Sequence, residues 1–261
     1  MNASMDLLLE AGSQREREHA IGALTPVKVR SETCSGCAVR HLSLCGRLDD
    51  EALEAFHRIG TRKTVARGET IAWAGEQSLT CGNLLSGMLK LSASMADGRE
   101  QVVGLLYASD FVGRPYSSHH EFTVTALSDA EICYFPRAAF ERLLETHPYV
   151  ERELLRRTLA TLDDARSQML MLARQSASER VADFLLRTAD RVGGCSAMPG
   201  GPVTFDLPLS RGSMADVLGL TIETVSRQMT RLKATGVIAL PGARTVTLVR
   251  RNELRSQAGV M

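Results

Sequence analysis

The stretch "LSRGSMADVLGLTIETVSRQMTRLKATGVI", residues 209–238, carries the most specific fold signal in this 261-residue chain. Ser210 and Thr221 stand where N-cap residues begin helices, because a hydroxyl oxygen can accept a hydrogen bond from a backbone N–H that the first turn leaves unpaired. Gly219 lies between the two predicted helices, and Gly236 follows the second one. The stretch therefore predicts two short helices joined by a tight turn.

The spacing within these helices is typical of a helix-turn-helix unit. Such a unit needs a small residue where its helices cross, a glycine in the turn and a branched apolar residue beneath, and Ala215, Gly219 and Val225 supply them. The predicted buried side of the second helix consists of Ile222, Val225, Met229 and Leu232. The segments "VIAL", "PGAR" and "TVTLV" that follow predict a two-stranded wing, so we expect a winged helix-turn-helix domain.

The opposite side of the second helix carries side chains that can read DNA bases. An arginine can donate two hydrogen bonds to guanine, and a glutamate can accept one from the cytosine amino group. The predicted DNA-binding residues are Glu223, Ser226, Arg227, Thr230 and Arg231. The formal net charge of the chain is only +1, but between Asp206 and Arg255 eight Lys or Arg stand against four Asp or Glu. This local basic excess favours a DNA-binding helix over an ordinary solvated helix face.

Residue composition and hydrophobic pattern divide the chain into four predicted regions. Between about Thr61 and Phe140, short alternating segments are separated by turn signals, of which Asp97-Gly98 is the sharpest. This pattern predicts an antiparallel β-roll or barrel, and with the helices an α+β fold. The predicted regions are a mobile tail (1–33), a sensor roll that includes a cysteine-rich segment (34–147), a long helix (148–175) and the DNA-binding domain (176–261). The first helix of the last region is predicted to begin near Ser178, with Ser178 as its N-cap.

The long helix carries an apolar seam at helical spacing. Leu155, Leu159, Leu162 and Met169 lie on it, and Arg166 interrupts it. The length of the helix favours a parallel pair between two subunits over a buried core helix, and the interruption predicts a pair that is weak by itself. We therefore expect a homodimer that uses these five residues.

We expect a cytoplasmic protein that has no membrane partner. The longest apolar run near the N-terminus is "LLL", shorter than the roughly 7–15 residues of an export signal. No run of about 18 apolar residues is present to span a bilayer. Thiols stay reduced in the cytosol, so clustered cysteines there favour metal or redox chemistry over structural disulfides.

The segment "CSGCAVRHLSLC", residues 34–45, holds three of the six cysteines. A disulfide staple, a zinc site, a thiol switch and an iron–sulfur cluster are all candidates. Cys34, Cys37 and Cys45 with His41 would complete a zinc site. Cys34 and Cys37 alone could form a thiol/disulfide switch, although no βαβ pattern surrounds them as it would in a thioredoxin-like enzyme.

A roll, a long central helix and a winged helix with "GLTIETVSRQMTRLKATGVI" resemble the Crp/Fnr family of bacterial transcription regulators. The pattern E-x-x-S-R, at Glu223, Ser226 and Arg227, is similar to that of the Fnr branch. "SDFVGRP" and "TFDLPLSRGSMADVLGLT" resemble anaerobic regulators of this branch. The resemblance implies a cyclic-nucleotide-binding-like roll and a dimer that binds a palindrome related to TTGAT-N4-ATCAA.

The resemblance also bears on the effector. Members that bind cyclic nucleotides carry a Gly-Glu stretch and an Arg-Ser pair, and the corresponding segment here, "DFVGRPYSSHHEFTVTA", lacks both. We therefore expect no cyclic nucleotide. Fnr-type oxygen sensors hold a 4Fe–4S cluster on four cysteines, and the resemblance implies Cys34, Cys37, Cys45 and, in "EICYFP", Cys133 as its ligands. The C-x7-C spacing after Cys37 is longer than in the enteric members of the branch.

The remaining two cysteines have no counterpart in this ligand pattern. Cys81 is predicted to be a small buried residue of the roll, and Cys195 to lie in a loop. The resemblance implies an oxygen-responsive regulator, mainly an activator and not an enzyme, that touches RNA polymerase through the hairpin from Met95 to Arg99. Two alternatives remain: a Crp/Fnr-type regulator with a structural zinc or a thiol switch and another effector, or a thiol redox enzyme with an accessory DNA domain.

Overall fold

The computed structural model describes five stretches of the chain, namely residues 34, 36–95, 97–98, 100–192 and 201–259. The predicted tail, Cys195 and Arg99 lie outside the described residues. Within them the predicted fold class is confirmed: an antiparallel β-roll, a long helix and a C-terminal winged helix-turn-helix domain follow one another. None of the described helices is long and apolar enough to cross a membrane.

The roll consists of two four-stranded antiparallel sheets. The first sheet has the order β1-β8-β3-β6, and the second has the order β2-β7-β4-β5. Alternating side chains from both sheets, among them Leu84 and Leu89, form one buried core between them. The strands are β1 (Thr61–Val65), β2 (Thr70–Ala72), β3 (Thr80–Ser86), β4 (Met88–Ser94), β5 (Glu100–Tyr107), β6 (Phe111–Val112), β7 (Thr123–Ala126) and β8 (Ala130–Pro136).

Helices cover the outer face of the first sheet. A 3₁₀ turn at Leu44–Arg47 leads into α1 (Asp50–Ile59), and α2 (Arg137–Thr146) follows β8 directly. Asp49 caps α1, because its Oδ1 accepts a hydrogen bond of 2.8 Å from the backbone N–H of Ala52. Phenylalanines of α1, α2 and β8 pack edge-to-face and stacked in this second core. The cysteine-rich segment is thereby held against the outside of the roll.

The long helix, α3, runs over Pro148–Arg174, as the sequence predicts. Proline at its first position costs no hydrogen bond there, because that N–H would be unpaired in any helix. Along its length only Val150, Glu153 and Met171 are buried. Most of the helix surface is therefore uncovered by the rest of the described chain.

The C-terminal domain surrounds a third core. Its elements are α4 (Ala177–Val192), β9 (Val203–Asp206), α5 (Arg211–Leu218), α6 (Ile222–Ala234), β10 (Ile238–Ala239), β11 (Thr245–Leu248) and α7 (Arg251–Ala258). The predicted two-stranded wing is confirmed, because β10 pairs with β11 in an antiparallel hairpin. Strand β9, whose buried Val203 and Phe205 alternate with exposed residues, pairs with β11 as a third strand that was not predicted. One expectation about this domain was wrong. The helix that was expected to begin at Ser178 is capped two residues earlier.

Ser176 makes this cap through a reciprocal pair of hydrogen bonds. Its Oγ accepts from the N–H of Glu179 at 3.4 Å, and Oε2 of Glu179 accepts from the N–H of Ser176 at 2.7 Å. This capping box satisfies two backbone donors at once, whereas a cap at Ser178 would satisfy one.

The DNA-binding domain packs on the outer face of the second sheet. Met88 and Val102 of that sheet share a buried core with Val217 of α5. Gln101 donates from Nε2 to the carbonyl oxygen of Asp216 at 2.5 Å. Helices therefore cover the outer face of the first sheet, and the DNA-binding domain covers the outer face of the second. The roll connects the cysteine segment to the DNA-binding domain.

Gly82→Ala tests the close approach of β3 to β8. A Cβ at Gly82 would lie 2.4 Å from the carbonyl oxygen of Cys133, whose backbone cannot move without breaking the pairing. We expect a loss of about 1–3 kcal/mol in the free energy of unfolding, as for overpacking elsewhere. The matched control is Gly104→Ala, whose Cβ would meet only the flexible side chain of Leu91 at 3.3 Å. Urea unfolding of both variants measures the difference, and equal losses would contradict the prediction.

Candidate metal centre and nucleic-acid interface

Four thiols from two distant parts of the chain line one cavity. Cys34, Cys37 and Cys45 come from the cysteine-rich segment, and Cys133 comes from β8, 88 residues beyond Cys45. The cavity lies on the outer face of the first sheet, with His57 of α1 on another wall. The structure thus brings together the four cysteines that the sequence singled out as a ligand set.

The local fold of the segment explains why its thiols share one side. The backbone N–H of Cys37 donates to the carbonyl oxygen of Cys34 at 3.4 Å, and that of Arg40 donates to Cys37 at 3.1 Å. These consecutive turns coil the chain tightly, Val39 is buried among them, and the buried side chain of Leu44 anchors the segment to the second core.

The register of the first sheet supplies the other wall. Cys133 is paired with Arg62 on β1 and with Asn83 on β3. Residues directly opposite each other in antiparallel strands point to the same face, so the three side chains form a row across the sheet. All three line the cavity. A guanidinium and an amide donor therefore flank the thiol of Cys133.

Burial makes ionisation of the free thiols costly. Burial first, and the neighbouring thiols after it, raise the pKa of Cys45 to about 11 and that of Cys133 to about 12. The pKa of Cys34 is raised too, by burial first and by Cys37 second. The positive charge of Arg62 acts in the opposite direction on Cys34 and Cys133. A cation that binds the thiolates would offset this cost.

Sequence reasoning missed two residues of the site, His57 and Asn83. The Nδ1 atom of His57 lies 3.4 Å from Sγ of Cys34, and Nδ2 of Asn83 lies 3.5 Å from Sγ of Cys45. No local pattern marks His57. Asn83 did carry a signal, because it is a polar residue inside the otherwise buried run of β3.

The histidine of the zinc alternative lies elsewhere. His41 is exposed and does not line the cavity. Across the described ranges, no three His, Cys, Asp or Glu side chains are grouped closely enough to hold one metal ion. Within the part of the chain that the structure describes, the four thiols therefore share one cavity but form no close ligand group.

Cys81 lies on the same strand as Asn83 but outside the cavity. It is buried in the second core, as the sequence predicts, and its thiol lies 4.0 Å from the carbonyl oxygen of Phe135. Burial raises its pKa to about 12. Cys81 is therefore an unreactive packing residue of the roll.

The two helix caps of the helix-turn-helix unit are confirmed. Oγ of Ser210 accepts from Ser213 N–H at 3.0 Å, and Oγ1 of Thr221 accepts from Thr224 N–H at 3.3 Å. Gly219 has φ +59°, in the left-handed region that favours glycine. Both predicted N-caps and the predicted turn glycine are therefore present.

Helix α6 presents the predicted DNA-binding side chains to solvent. Val225, Met229 and Leu232 are buried beneath it. Ile222 was predicted to join them, but it is 53% exposed at the first position of the helix. On the outer side Ser226 is half-buried, and the exposed residues are Glu223, Arg227, Thr230 and Arg231. This surface has the size and chemistry that a DNA major groove accepts.

Arg180 fixes the helix-turn-helix unit to the long helix, a role that sequence reasoning missed. Its guanidinium donates to three backbone carbonyl oxygens: those of Leu172 at 2.8 Å, Gln175 at 3.0 Å and Leu218 at 3.0 Å. Leu172 belongs to α3, and Leu218 ends the first helix of the unit. The orientation of α6 is therefore tied to the end of α3.

Comparison with known proteins agrees with this architecture. A family model described as a Crp-like helix-turn-helix domain matches residues 179–257, and one described as a cyclic nucleotide-binding domain matches residues 62–147. The chain is 42% identical over 227 residues to the transcriptional activator protein FnrL of Cereibacter sphaeroides, covering 87% of this chain and 92% of that protein. The chain belongs to the Crp/Fnr family of transcription regulators.

Other members of the Crp/Fnr family give the same result. The chain is 38% identical to the nitrogen fixation regulation protein FixK of Bradyrhizobium diazoefficiens, over 79% of this chain and 86% of that protein. The solved structure of FixK2 from Bradyrhizobium japonicum superposes with a TM-score of 0.70 at 30% identity, covering 76% of this chain and 97% of that one. The resemblance that the sequence predicted is confirmed.

Crp/Fnr regulators bind DNA, typically as dimers, and α3 has an uncovered face. Three residues of the predicted seam are about half exposed or more, Leu155 at 57%, Leu159 at 51% and Met169 at 71%, and Leu162 is exposed beside them. Arg166 interrupts the seam and is paired with Asp163 at 3.1 Å. Exposure of a row of apolar side chains to water is unfavourable in free energy, so this face of α3 suits contact with a second copy of the helix.

Arg227→Ala tests the DNA-reading surface. If Arg227 donates two hydrogen bonds to guanine, the variant loses about 1–3 kcal/mol of binding free energy on a cognate site. Binding to unrelated DNA of the same length should change little, because phosphate contacts remain. Fluorescence anisotropy at one fixed salt concentration measures both affinities. Equal weakening on the two DNAs would assign Arg227 to a phosphate contact instead.

Proposed function

We propose that this Crp/Fnr-family protein is an oxygen-responsive transcription activator that holds a 4Fe–4S cluster on Cys34, Cys37, Cys45 and Cys133. With the cluster bound it acts as a homodimer on a palindrome related to TTGAT-N4-ATCAA. The observation that carries this proposal is the single cavity lined by four thiols from two distant segments. Four thiolates are the ligand set that such a cluster requires.

The cavity walls suit a negatively charged, sulfur-bound group. When bound, the cluster supplies a link between the segment and β8 that oxygen can destroy. Arg40, Arg62 and Asn83 line the same space and provide positive charge and a hydrogen-bond donor. Leu53, Phe56 and Phe135 provide the apolar remainder and limit the access of water. The chain thus offers ligands, charge compensation and shielding in one place.

The connection from the cavity to the dimer helix runs through Arg157. Its Nη2 donates to the carbonyl oxygen of Leu42 at 2.8 Å, in the loop between Cys37 and Cys45. Its Nε donates to Glu153 at 2.9 Å on the same helix. Hydrogen bonds from Arg156 and Arg157 lower the pKa of the Glu153 carboxyl to about 2, so this carboxylate stays charged and holds both arginines.

This contact lets the cysteine segment act on the helix pair. Ligation at Cys37 and Cys45 would fix the loop between them, and with it the carbonyl that Arg157 binds. In sequence, Arg157 lies between Leu155 and Leu159 of the seam, so the contact with Leu42 is made from the same turns of the helix. The interruption at Arg166 keeps the pair of helices close to balance, so a difference of a few kcal/mol between the two states of the loop would shift the monomer–dimer equilibrium.

Dimerisation would then place two α6 helices for one palindrome. Half-sites one helical turn apart are separated by about 34 Å, a spacing that a single helix-turn-helix unit cannot span. Arg180 transmits the position of α3 to each unit through three backbone contacts. Loss of the cluster would therefore weaken DNA binding by separating the two units.

The turn of the roll that begins at Met95 is the proposed contact with RNA polymerase. Met95 is exposed, and its carbonyl oxygen accepts from Gly98 N–H at 2.9 Å, so the turn projects from the second sheet. We propose a cytoplasmic protein that uses no cyclic nucleotide, since the segment from β6 to β7 lacks the Gly-Glu stretch and the Arg-Ser pair.

Metal analysis of anaerobically purified protein tests the proposal. The wild-type protein should be brown, contain about four iron atoms and four sulfides per chain, and bleach in air. Cys133→Ser should lose the cluster and remain largely monomeric without air, because three thiolates leave one iron without a protein ligand. Cys81→Ser is the matched control from the same sheet and should behave like wild type.

Two results would contradict the proposal. Colourless wild-type protein with one zinc per chain would favour the structural zinc alternative. A Cys133→Ser protein that keeps full iron, colour and anaerobic DNA binding would remove Cys133 from the site.

Arg157→Ala tests the coupling step. The variant should keep the iron content of wild type but form dimers roughly tenfold less readily without air, because one hydrogen bond from a charged donor is worth about 1.5–3 kcal/mol. Arg156→Ala is the matched control, since it removes the same charge one residue earlier and leaves the Leu42 contact in place. Anaerobic sedimentation velocity measures both. Equal dimerisation of the two variants would exclude the Arg157 contact as the coupling element.

A further inference from the structure

Asn83 is a buried polar residue that packing does not explain. It is 1% exposed, and its neighbours on β3, Gly82 and Leu84, are buried as well. A buried amide destabilises the fold unless its hydrogen bonds are satisfied. An apolar residue at this position would pack against the apolar cavity wall without that cost. Packing therefore does not explain why position 83 carries an amide.

The side chain of Asn83 makes fewer hydrogen bonds than an amide can. Its Nδ2 donates to Sγ of Cys45 at 3.5 Å, and its Oδ1 has no partner among the described residues. A neutral thiol is a weak acceptor, whereas a thiolate sulfur is a strong one. The Asn83 donor is therefore better matched to a charged Cys45 sulfur than to the free thiol.

Other groups around the same sulfur support a site built for charge. The buried side chain of Ser43 and the guanidinium of Arg40 line the same cavity as Cys45. Arg62 lies across the row from Asn83, on the far side of Cys133. Donors and cations thus surround thiols that burial alone would keep neutral.

We propose that Asn83 is a positioning residue that donates an N–H···S hydrogen bond to the cluster-bound sulfur of Cys45 and thereby slows oxidation of the cluster by oxygen. The inference rests on the proposed function. The step concerned is a one-electron transfer: dioxygen takes one electron from the iron–sulfur centre and becomes superoxide, with no bond to Asn83 made or broken. Hydrogen bonds to sulfur stabilise the more negative, reduced state and so oppose this loss.

Asn83→Leu and Asn83→Asp test the proposal. Leucine removes the donor, and aspartate keeps the shape while replacing the donor with negative charge. After anaerobic purification to equal iron content, both should bleach about tenfold faster than wild type in air-saturated buffer, the change expected from one hydrogen bond to a charged group. The midpoint reduction potential, measured without air, should shift to more negative values in both. Substitutions that only admitted water would shift the potential to more positive values instead, because water stabilises the more negative, reduced state.

Ser78→Ala is the matched control. Ser78 is also fully buried in the roll with an unpartnered side-chain oxygen, but it does not line the thiol cavity. It should bleach at the wild-type rate and have the wild-type potential. If Asn83→Leu fails to fold, Asn83→Asp gives the same test on the native shape.

The outcomes separate the two proposals. Brown wild-type protein with Asn83 variants of unchanged potential and bleaching rate would overturn the role of Asn83 and leave the proposed function standing. Colourless wild-type protein would overturn the proposed function and this inference with it.

Discussion

The antiparallel pairing of β3 with β8 is the constraint on which the candidate site depends. It sets Cys133 opposite Asn83, while the pairing of β8 with β1 sets Cys133 opposite Arg62. A slip of β8 by one residue would turn Cys133 into the core of the roll, away from Asn83 and Arg62. The same strands contribute Leu84 and Ile132 to that core on their other face. Packing of the roll therefore fixes the register, and the register fixes one wall of the thiol cavity.

Arginine side chains that bind backbone carbonyls connect the parts of the molecule. Arg157 joins the cysteine segment to α3, and Arg180 joins the end of α3 to the helix-turn-helix unit. A guanidinium can bind several oxygens in fixed directions. A main-chain oxygen moves with the segment that carries it, so a hydrogen bond to that oxygen fixes the position of the segment. Under the proposed function these contacts give a short physical route from the thiols to the DNA-reading helix, and the exposed seam of α3 lies along it.

Sequence analysis succeeded where the cause of structure is local. The caps at Ser210 and Thr221, the glycine turn at Gly219 and the long helix from Pro148 follow from hydrogen bonding and periodicity within a few residues. The predictions from sequence were wrong where a choice between nearby residues, or the position of a residue at the end of a helix, decided the structure. Ser176 rather than Ser178 caps α4, because only Ser176 has Glu179 at the right distance, and Ile222 stays exposed at the end of its helix.

By itself the sequence determined the fold class and the resemblance to the family, because strand alternation, helix caps and turn glycines depend on residue types and spacings. The four cysteines as candidate ligands followed only from that resemblance. Only the tertiary structure decided that Cys133 meets the cysteine-rich segment across 88 residues, since that distance closes through sheet pairing. It also decided that His57 and Asn83 belong to the site and that His41 does not. These assignments depend on which faces of a helix and a strand turn toward each other, and packing of the whole core settles that.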